Sequence, residues 1–301
     1  MMKTDLFVFE PILSMASQLE AVSKNVCVLG GGQLGRMMGL EAIRLGINMT
    51  CLDPGGDDSA AAEVCTVVKG SFNSFADVTA MKGDSFTVEI EHVSIDGLEA
   101  LEKEGIAVNP SSRALKIISD KVVQKRTLSE HGVPMGDFLE IPSGSDLIQS
   151  VKDAAVSLGG YPLMLKARKL AYDGRGNVVI KCEGEIAAAI QTLGDGIYAE
   201  RWVPFQAEVA CIVARDRKGA VVTYDVVETR QADNICRVVV VPPSFEFPSE
   251  ARNEAERVAR LAVVRNLIII ISKLIVVVGG HWSRSLCSGN VLFGRIIDSV
   301  Q

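Results

Sequence analysis

Three glycines in the segment GGGQLGR, Gly30, Gly32 and Gly35, have the spacing G-x-G-x-x-G between a β-branched run and a helical pattern. Glycines at this spacing allow a tight turn, and the N-terminus of the following helix offers unpaired N–H groups to an anion. Asp53 ends the next predicted strand, which completes a dinucleotide-binding fingerprint. The motif predicts phosphate binding, although an ordinary structural turn also explains it.

A second motif, KARKLAYDGRGN, brings four cations together over residues 166–177: Lys166, Arg168, Lys169 and Arg175. Two glycines flank the last of these cations. A loop of this kind suits phosphates or a carboxylate, because its N–H groups and its cations both favour an anion. The alternative is a plain hairpin turn, since Asp-Gly is a strong turn signal.

Two acidic residues in AERWVPFQAE, Glu200 and Glu208, stand at the end of one predicted strand and the start of the next. Carboxylates in such places can accept hydrogen bonds from ribose hydroxyls, but taken alone surface glutamates are usually only solvated. The same holds for Lys121 and Lys125 in SDKVVQK, which by themselves predict a solvated helix face.

The elements that position these residues fall into two groups. From Asn25 the strands NVCVLG, INMTCLD, TVVKGS and FTVEIEHV alternate with the helices LGRMMGLEAIRLG, SFADVTAMKG and SIDGLEALEKEG. This alternation predicts an α/β domain with a largely parallel sheet. Ser94 is the expected N-cap of the last of these helices.

From about Ser111 the pattern changes to one long helix over SRALKIISDKVVQKRTLSEHG and another over Asp146 to Leu158. The strands YPLMLKAR, NVVIKCE, GIYAERW, AEVACIVARD, GAVVTYDVVET and ICRVVVVPP follow with few helices between them, which favours an antiparallel-rich α+β layer. A final helix, SEARNEAERVARLAVV, has its apolar positions at Ala255, Val258, Ala259 and Ala262.

Composition excludes several classes of function. The net charge of -6 gives no electrostatic surface for nucleic acid or an anionic membrane. Seven cysteines without a CxxC pair, and three histidines without ligand spacing, argue against a disulfide framework or a zinc site and favour a cytoplasmic protein. The apolar stretch RNLIIIISKLIVVVGGH is interrupted by Ser272 and Lys273, so a membrane anchor is not expected.

Six ordered motifs together resemble one known family. They are VLGGGQLGRM, TVEIEHV, SDKVVQK, LAYDGRGN, YAERWVPF with the later Glu208, and ETRQADNIC. The family is the ATP-grasp enzyme 5-(carboxyamino)imidazole ribonucleotide synthase, the ATP-dependent carboxylating part of phosphoribosylaminoimidazole carboxylase. LAYDGRGN resembles the version in the fungal and plant bifunctional enzymes. The resemblance runs from about Asn25 to Arg260.

The resemblance implies four segments: an extension at 1–24, a Rossmann-like pre-ATP-grasp domain at 25–112, an incomplete α+β ATP-grasp domain at 113–264, and a divergent tail at 265–301. It also implies a reaction in purine (IMP) biosynthesis. ATP activates bicarbonate as carboxyphosphate, which carboxylates aminoimidazole ribonucleotide, and Mg²⁺ is the expected metal. A homodimer is suggested in the same way, with no nucleic-acid or membrane partner.

The resemblance further assigns roles to individual residues. For ATP they are Lys121, Lys166, the loop residues Ala171, Tyr172, Asp173, Gly174, Arg175, Gly176 and Asn177, the stretch Glu200, Arg201, Trp202 and Val203, and Glu208 and Gln231. For the ribonucleotide they are Gly32, Gln33, Glu89, Tyr172 and Arg175, which reassigns the glycine loop from a dinucleotide to a sugar phosphate. The implied catalytic residues are Lys166, Tyr172 and Arg175.

The sequence departs from the family after about Val264. The family continues with an Asn-Glu metal site, whereas residues 265–301 contain a single acidic residue, Asp298, and so no metal ligand is assigned. Gln231 stands where the family commonly has histidine. Impaired carboxylation is therefore expected. The alternatives are a noncatalytic truncated or mis-spliced nucleotide-binding product and an NAD-dependent oxidoreductase built on the glycine motif and Asp53.

Overall fold

A computed structural model of the chain describes residues 24–144, 146–169, 176–205, 207–216, 218–232, 235–243, 249–264 and 272–278. They form two compact units that divide between Ser112 and Arg113. The residues expected to form the extension, apart from Lys24, lie outside the described residues, as do the loop residues 171–175 and most of the tail.

The first unit is built on a five-stranded parallel sheet, as the alternating pattern predicts. Its strands are β1 (Asn25–Leu29), β2 (Asn48–Asp53), β3 (Thr66–Lys69), β4 (Ser85–Val88) and β5 (Ala107–Val108). Their order is β3-β2-β1-β4-β5, and every pair is parallel. The helices are α1 (Gln33–Leu45), α2 (Phe75–Ala80) and α3 (Ile95–Lys103).

Local sequence signals explain where these helices begin and end. Ser94 caps α3 as predicted, because its hydroxyl accepts the backbone N–H of Gly97. Gly46 ends α1 in the left-handed conformation at φ 67°, which glycine adopts at little cost. The parallel strands are rich in buried apolar residues, and Val28 and Phe86 are among the residues sealed from solvent.

The second unit contains a four-stranded antiparallel sheet with helices against it. Its elements in chain order are α4 (Ser112–Ile118), α5 (Lys121–Glu130), β6 (Phe138–Glu140), α6 (Leu147–Ser157), β7 (Leu163–Ala167), β8 (Asn177–Ile180), α7 (Ile186–Leu193) and β9 (Ile197–Arg201). The strand order is β6-β9-β7-β8. Apolar side chains of α6, α7 and the sheet form the core, among them Val151, Leu165, Ile186 and Ile197.

The prediction of one long helix over residues 112–132 is wrong, because the chain forms α4 and α5 instead. Asp120 has an extended backbone at φ -124° and ψ 108°, which ends helical continuity. Its carboxylate accepts the N–H groups of Val122 and Val123 and so caps α5. An aspartate inside an amphipathic pattern therefore marks a helix start here.

A second sheet of the same unit is also antiparallel. It contains β10 (Ala207–Arg215), β11 (Val221–Thr223), β12 (Val227–Ala232) and β13 (Ile235–Val240), in the order β11-β10-β12-β13. The run GAVVTYDVVET, predicted as one strand, is split between β11 and β12. Helix α8 (Ser249–Val264) packs on β10, and its four predicted apolar positions are all buried.

Part of the apolar stretch that begins the tail is a strand of this sheet. β14 (Ser272–Val278) runs antiparallel to β10, with Ala207 opposite Val278 and Val213 opposite Ser272. Residues 272–278 of the segment expected to be a divergent tail are thus part of this sheet. Within the part of the chain that the structure describes, no helix is long and apolar enough to cross a membrane.

Candidate functional site

In the first unit, the glycine loop and Glu89 meet where the strand order reverses. The loop follows β1 and Glu89 follows β4, so both lie at the carboxyl ends of neighbouring strands, the usual ligand position in such sheets. The Glu89 carboxylate accepts the N–H of Gly32 at 2.6 Å and that of Leu34 at 3.1 Å. The protein's own carboxylate thus occupies the anion-binding start of α1.

The glycine spacing is explained by the Glu89 side chain. A Cβ atom at Gly30 would lie 2.8 Å from Glu89 Cβ, one at Gly32 would lie 2.7 Å from Oε1, and one at Gly35 would lie 3.0 Å from Oε2. Gly30 also has a φ of 109°, which other residues rarely adopt. The three glycines therefore make room for Glu89, and a phosphate on the same N–H groups would meet a negative charge.

Asp53 is committed to the backbone as well. Its Oδ2 accepts the N–H of Gly31 at 2.8 Å, and its Oδ1 accepts the N–H of Gly55 at 2.8 Å. In a dinucleotide site this carboxylate would instead bind ribose hydroxyls. The geometry therefore disfavours the NAD interpretation. Gln33 is exposed as the first residue of α1, beside the Glu89 contact.

In the second unit, Glu200 lies between two lysines. Its Oε1 is 2.7 Å from Lys125 Nζ, and its Oε2 forms an ion pair with Lys166 Nζ. Lys166 lies on β7 and Glu200 on the neighbouring strand β9, where Met164 is directly opposite Glu200. Lys166 follows Met164 by two residues, so its side chain lies on the same face of the sheet as that of Glu200. Helix α5 supplies Lys125 from a different part of the chain.

This trio of charges is buried, which the sequence pattern did not indicate. The side chains of Lys125 and Lys166 are each 8% exposed, and that of Glu200 is 9% exposed. The prediction that Lys125 lies on a solvated helix face is therefore wrong. Burial alone raises the pKa of Glu200, but the charges of Lys166 and Lys125 outweigh it and lower the pKa to about 2. Lys125 Nζ also lies 5.2 Å from the centroid of the Phe138 ring.

The cation cluster after β7 has carboxylate partners. Arg168 donates two hydrogen bonds to Asp120, at 3.1 and 2.7 Å, and it also pairs with Glu140. The exposed Lys169 lies 3.8 Å from the same aspartate. Lys121 begins α5 and is half-buried, and its backbone N–H donates to the Arg168 carbonyl at 2.9 Å. Clustering of cations in sequence therefore does not by itself identify phosphate ligands.

In the second sheet, Glu208 is a buried acceptor. Thr229 lies directly opposite on β12 and donates its hydroxyl to Glu208 Oε1 at 2.9 Å, and Gln231 Nε2 donates to the same oxygen at 2.6 Å. The side chain is therefore oriented through one oxygen. This corrects the prediction from the isolated motif, in which both Glu200 and Glu208 are solvated surface residues, since each is less than a tenth exposed.

The remaining predicted site residues are placed as follows. Arg201 turns away from Glu200, donating Nε to the Leu158 carbonyl at 2.9 Å and lying 3.3 Å from Asp137. Trp202 and Val203 are half-buried in the connection between the two sheets. Gly176 and Asn177 begin the return into β8, with Asn177 opposite Lys166. Ala171, Tyr172, Asp173, Gly174 and Arg175 lie outside the described residues.

A divalent metal would need several ligand side chains close together. Among the described residues, no group of three or more histidine, cysteine, aspartate or glutamate side chains could hold a metal ion. Mg²⁺ needs hard oxygen ligands, usually carboxylates together with substrate phosphates. The described residues therefore hold no preformed cluster of this kind, and a bound Mg²⁺ would need substrate phosphates for part of its ligand set.

Comparison with known families matches each unit in turn. Residues 23–119 match the family model of the ribonucleotide synthetase preATP-grasp domain, and residues 126–269 match that of the ATP-grasp domain. These matches confirm the fold class expected from sequence, a Rossmann-like domain followed by an α+β ATP-grasp domain.

Comparison with individual proteins agrees. The phosphoribosylaminoimidazole carboxylase of Ogataea methanolica is 40% identical over 228 residues, which cover 73% of this chain and 41% of that protein. The N5-carboxyaminoimidazole ribonucleotide synthase of Synechococcus elongatus is 32% identical over 243 residues, covering 80% of this chain and 60% of that protein.

Solved structures of the carboxyaminoimidazole ribonucleotide synthase from Aspergillus clavatus are similar in fold. The complex with ATP gives a TM-score of 0.78 at 35% identity. The complex with ADP and 5-aminoimidazole ribonucleotide gives 0.77 at 34% identity. Both matches cover 85% of this chain and 66% of that protein's chain. The matched part of this chain thus spans between about two fifths and two thirds of the length of these relatives.

Proposed function

Because this chain belongs to the ATP-grasp family of carboxyaminoimidazole ribonucleotide synthases, we propose that it binds ATP and acts in the carboxylation of aminoimidazole ribonucleotide with bicarbonate in purine biosynthesis. The observation that carries the proposal is the buried trio of Lys166, Glu200 and Lys125 on the sheet β6-β9-β7-β8. Two fixed cations there supply the positive charge that nucleotide phosphates need.

The sugar of the nucleotide is assigned to Glu208. Thr229 and Gln231 hold its Oε1 oxygen, and among the described residues no hydrogen bond is formed by Oε2. A carboxylate oriented in this way can accept hydrogen bonds from the ribose hydroxyls. The connection with Trp202 and Val203, which lies between Glu200 and Glu208, offers backbone groups for the adenine ring.

The ribonucleotide substrate is assigned to Glu89, Gln33 and Gly32 in the first unit. Since the Glu89 carboxylate occupies the N–H groups of Gly32 and Leu34, the substrate's phosphate does not belong on that helix start. A carboxylate there suits a neutral donor such as the exocyclic amine or a ribose hydroxyl. The roles that the resemblance gives to Tyr172 and Arg175 in binding this substrate remain proposals.

The chemistry proceeds in two transfers. A bicarbonate oxygen attacks the γ-phosphorus of ATP, which forms carboxyphosphate and releases ADP; the exocyclic amine nitrogen then attacks the carboxyl carbon, which forms the carboxyamine and releases phosphate. Fixed lysines assist the first transfer, because phosphoryl transfer depends mainly on positioning and charge stabilisation. Mg²⁺, the metal that the resemblance implies, would supply further charge neutralisation. We expect slow turnover from this chain, because Asp298 is the only acidic residue in 265–301.

The proposal is tested by ATP titration calorimetry, together with phosphate release in the presence of aminoimidazole ribonucleotide and bicarbonate. We expect ATP binding that is lost in Lys166→Met and retained in the control Lys152→Met, whose lysine pairs with Glu183 on the surface. Failure of the unsubstituted chain to bind ATP would refute the proposal. Rapid substrate-dependent phosphate release would confirm the activity and overturn the expectation of slow turnover.

A second candidate is a noncatalytic nucleotide-binding protein. It is favoured by the same shortage of acidic residues in the tail and by the lack of a metal-ligand cluster among the described residues. ATP binding without any substrate-dependent phosphate release would support it. A cytoplasmic location and a homodimer are further proposals, which fractionation and light scattering would check.

A further inference from the structure

Arg168 joins the end of β7 to the start of α5 through both its backbone and its side chain. Its carbonyl accepts the Lys121 N–H at 2.9 Å, and its guanidinium binds both carboxylate oxygens of Asp120, at 3.1 and 2.7 Å. A two-point bond between a planar guanidinium and a carboxylate fixes orientation as well as distance. The end of β7 is thereby bonded to two consecutive residues at the start of α5, Asp120 and Lys121.

Asp120 receives this contact while it also caps α5. Its Oδ1 accepts the N–H groups of Val122 at 3.1 Å and Val123 at 3.2 Å. Burial alone raises the pKa of Asp120, but the hydrogen bonds from Arg168 and from the Val123 N–H outweigh it, so the pKa lies below its ordinary value and the group is charged. One carboxylate therefore sets the start of the helix and its link to β7.

The two lysines of the buried trio, and Lys121, which the resemblance assigns to ATP, lie on these two elements. Lys121 and Lys125 lie on α5, and Lys166 lies on β7, two residues before Arg168. Lys125 and Lys166 meet the same Glu200 carboxylate, so a small shift of the helix along the strand would separate them. Their mutual position depends on what holds α5 to the end of β7.

We propose that Arg168 is a positioning residue for ATP, which acts by clamping Asp120 so that the lysines of α5 and β7 face one phosphate-binding position. The inference rests on the proposed function of this site. The role assigned to Arg168 is that of a clamp, because its guanidinium binds both carboxylate oxygens of Asp120 and also pairs with Glu140. Arg168 thus acts on ATP binding through Asp120, whereas the cation-rich segment 166–177 suggests that it binds an anion directly.

The test compares ATP with adenosine, which lacks phosphates, in variants of the clamp. Asp120→Asn is the main variant, because asparagine caps helices as well as aspartate does and so retains the start of α5. Arg168→Met is the second variant. The control is Arg126→Met, since Arg126 also pairs with Glu140 but does not contact Asp120. Calorimetry measures ATP binding, ligand-observed NMR measures adenosine binding, and urea unfolding measures stability.

We expect ATP affinity to fall about tenfold in both clamp variants, the lower end of the loss seen when the hydrogen-bond partner of a metal ligand is removed. Adenosine affinity should be unchanged in both clamp variants, and the control Arg126→Met should keep its affinity for both ligands. Equal losses for ATP and adenosine would mean a general structural role and would overturn the clamp, as would unchanged ATP affinity in Asp120→Asn. If the unsubstituted chain binds no ATP, the proposed function fails first, and the clamp fails with it.

Discussion

Lys125 Nζ lies 2.7 Å from Glu200 Oε1 in an interior where each side chain is less than a tenth exposed. Removing two charges from water is costly, and a buried ion pair often adds little net stability compared with apolar side chains of similar size. Here Lys166 completes the pairing by binding the second oxygen. The trio therefore fits the proposed nucleotide site better than a role in stability alone.

Removing Lys125 should expose that cost. Lys125→Met leaves the buried Glu200 with one cation, and we expect the free energy of unfolding to fall by about 3 kcal/mol, the usual cost of breaking a buried pair. Urea unfolding measures the change. The neighbouring Arg126→Met, at an exposed surface pair, is the matched control and should change stability by less than about 1 kcal/mol. Equal effects from the two variants would contradict the prediction.

The stability of the chain should depend on pH through Glu200. Its folded pKa of about 2 lies below its ordinary value of 4.5, so its stabilising contribution is complete above the ordinary value. That contribution is lost as the pH falls from 4.5 towards the folded pKa. We expect a smaller loss in Lys125→Met, where the folded pKa is closer to the ordinary value. The free energy of unfolding, measured across this pH window for the unsubstituted chain and for Lys125→Met, checks the prediction. The same pH dependence in both proteins would argue against pairing of Glu200 with Lys125.

The glycine loop should be intolerant of a single methyl group. Gly32 has a φ of -77°, which alanine adopts freely, so Gly32→Ala tests only the contact of the new Cβ with Glu89 Oε1. We expect a loss of about 1–3 kcal/mol, the usual cost of overpacking. The matched control is Gly184→Ala, where the nearest atom to the new Cβ is 3.9 Å away.

A second substitution, at Glu89, tests whether this side chain causes the loss of stability in Gly32→Ala. Shortening the acid in Gly32→Ala/Glu89→Asp should recover part of the loss, because the carboxylate withdraws from the new methyl group. Urea unfolding of both single variants and the double variant measures the coupling. Strictly additive losses would show that Glu89 is not what excludes a side chain at Gly32.

Gln231 should influence recognition of the ribose. Its Nε2 holds Glu208 Oε1 at 2.6 Å, so in Gln231→Leu the carboxylate keeps only the Thr229 hydroxyl on that oxygen. We expect ATP affinity to fall roughly three- to tenfold, which corresponds to about 1 kcal/mol, the net value of a typical hydrogen bond. Affinity for 2′-deoxy-ATP should fall less, because that ligand lacks one hydroxyl. Gln149→Leu, which loses an exposed bond to Asp153, is the control.

Much of the fold could be predicted because it follows from local pattern. Alternating strands and helices indicate a parallel sheet, and the serine before α3 marks the start of that helix, as observed. The helix break at Asp120 is not predicted by the pattern, because a polar side chain there fits the exposed positions of one continuous helix. Its cap bonds to Val122 and Val123 are local, whereas its pairing with Arg168, 48 residues later, depends on the fold.

By itself the sequence determined the fold class, the family and the lysines and acids that the family motifs carry. Only the tertiary structure decided that Glu89 occupies the anion site behind the three glycines, that Lys125 is buried, and that Arg168 is paired with Asp120. These outcomes depend on which distant carboxylate reaches each N–H group or cation. Spacing along a chain specifies local conformation, but charge neutralisation in a buried site depends on partners that folding brings from other elements.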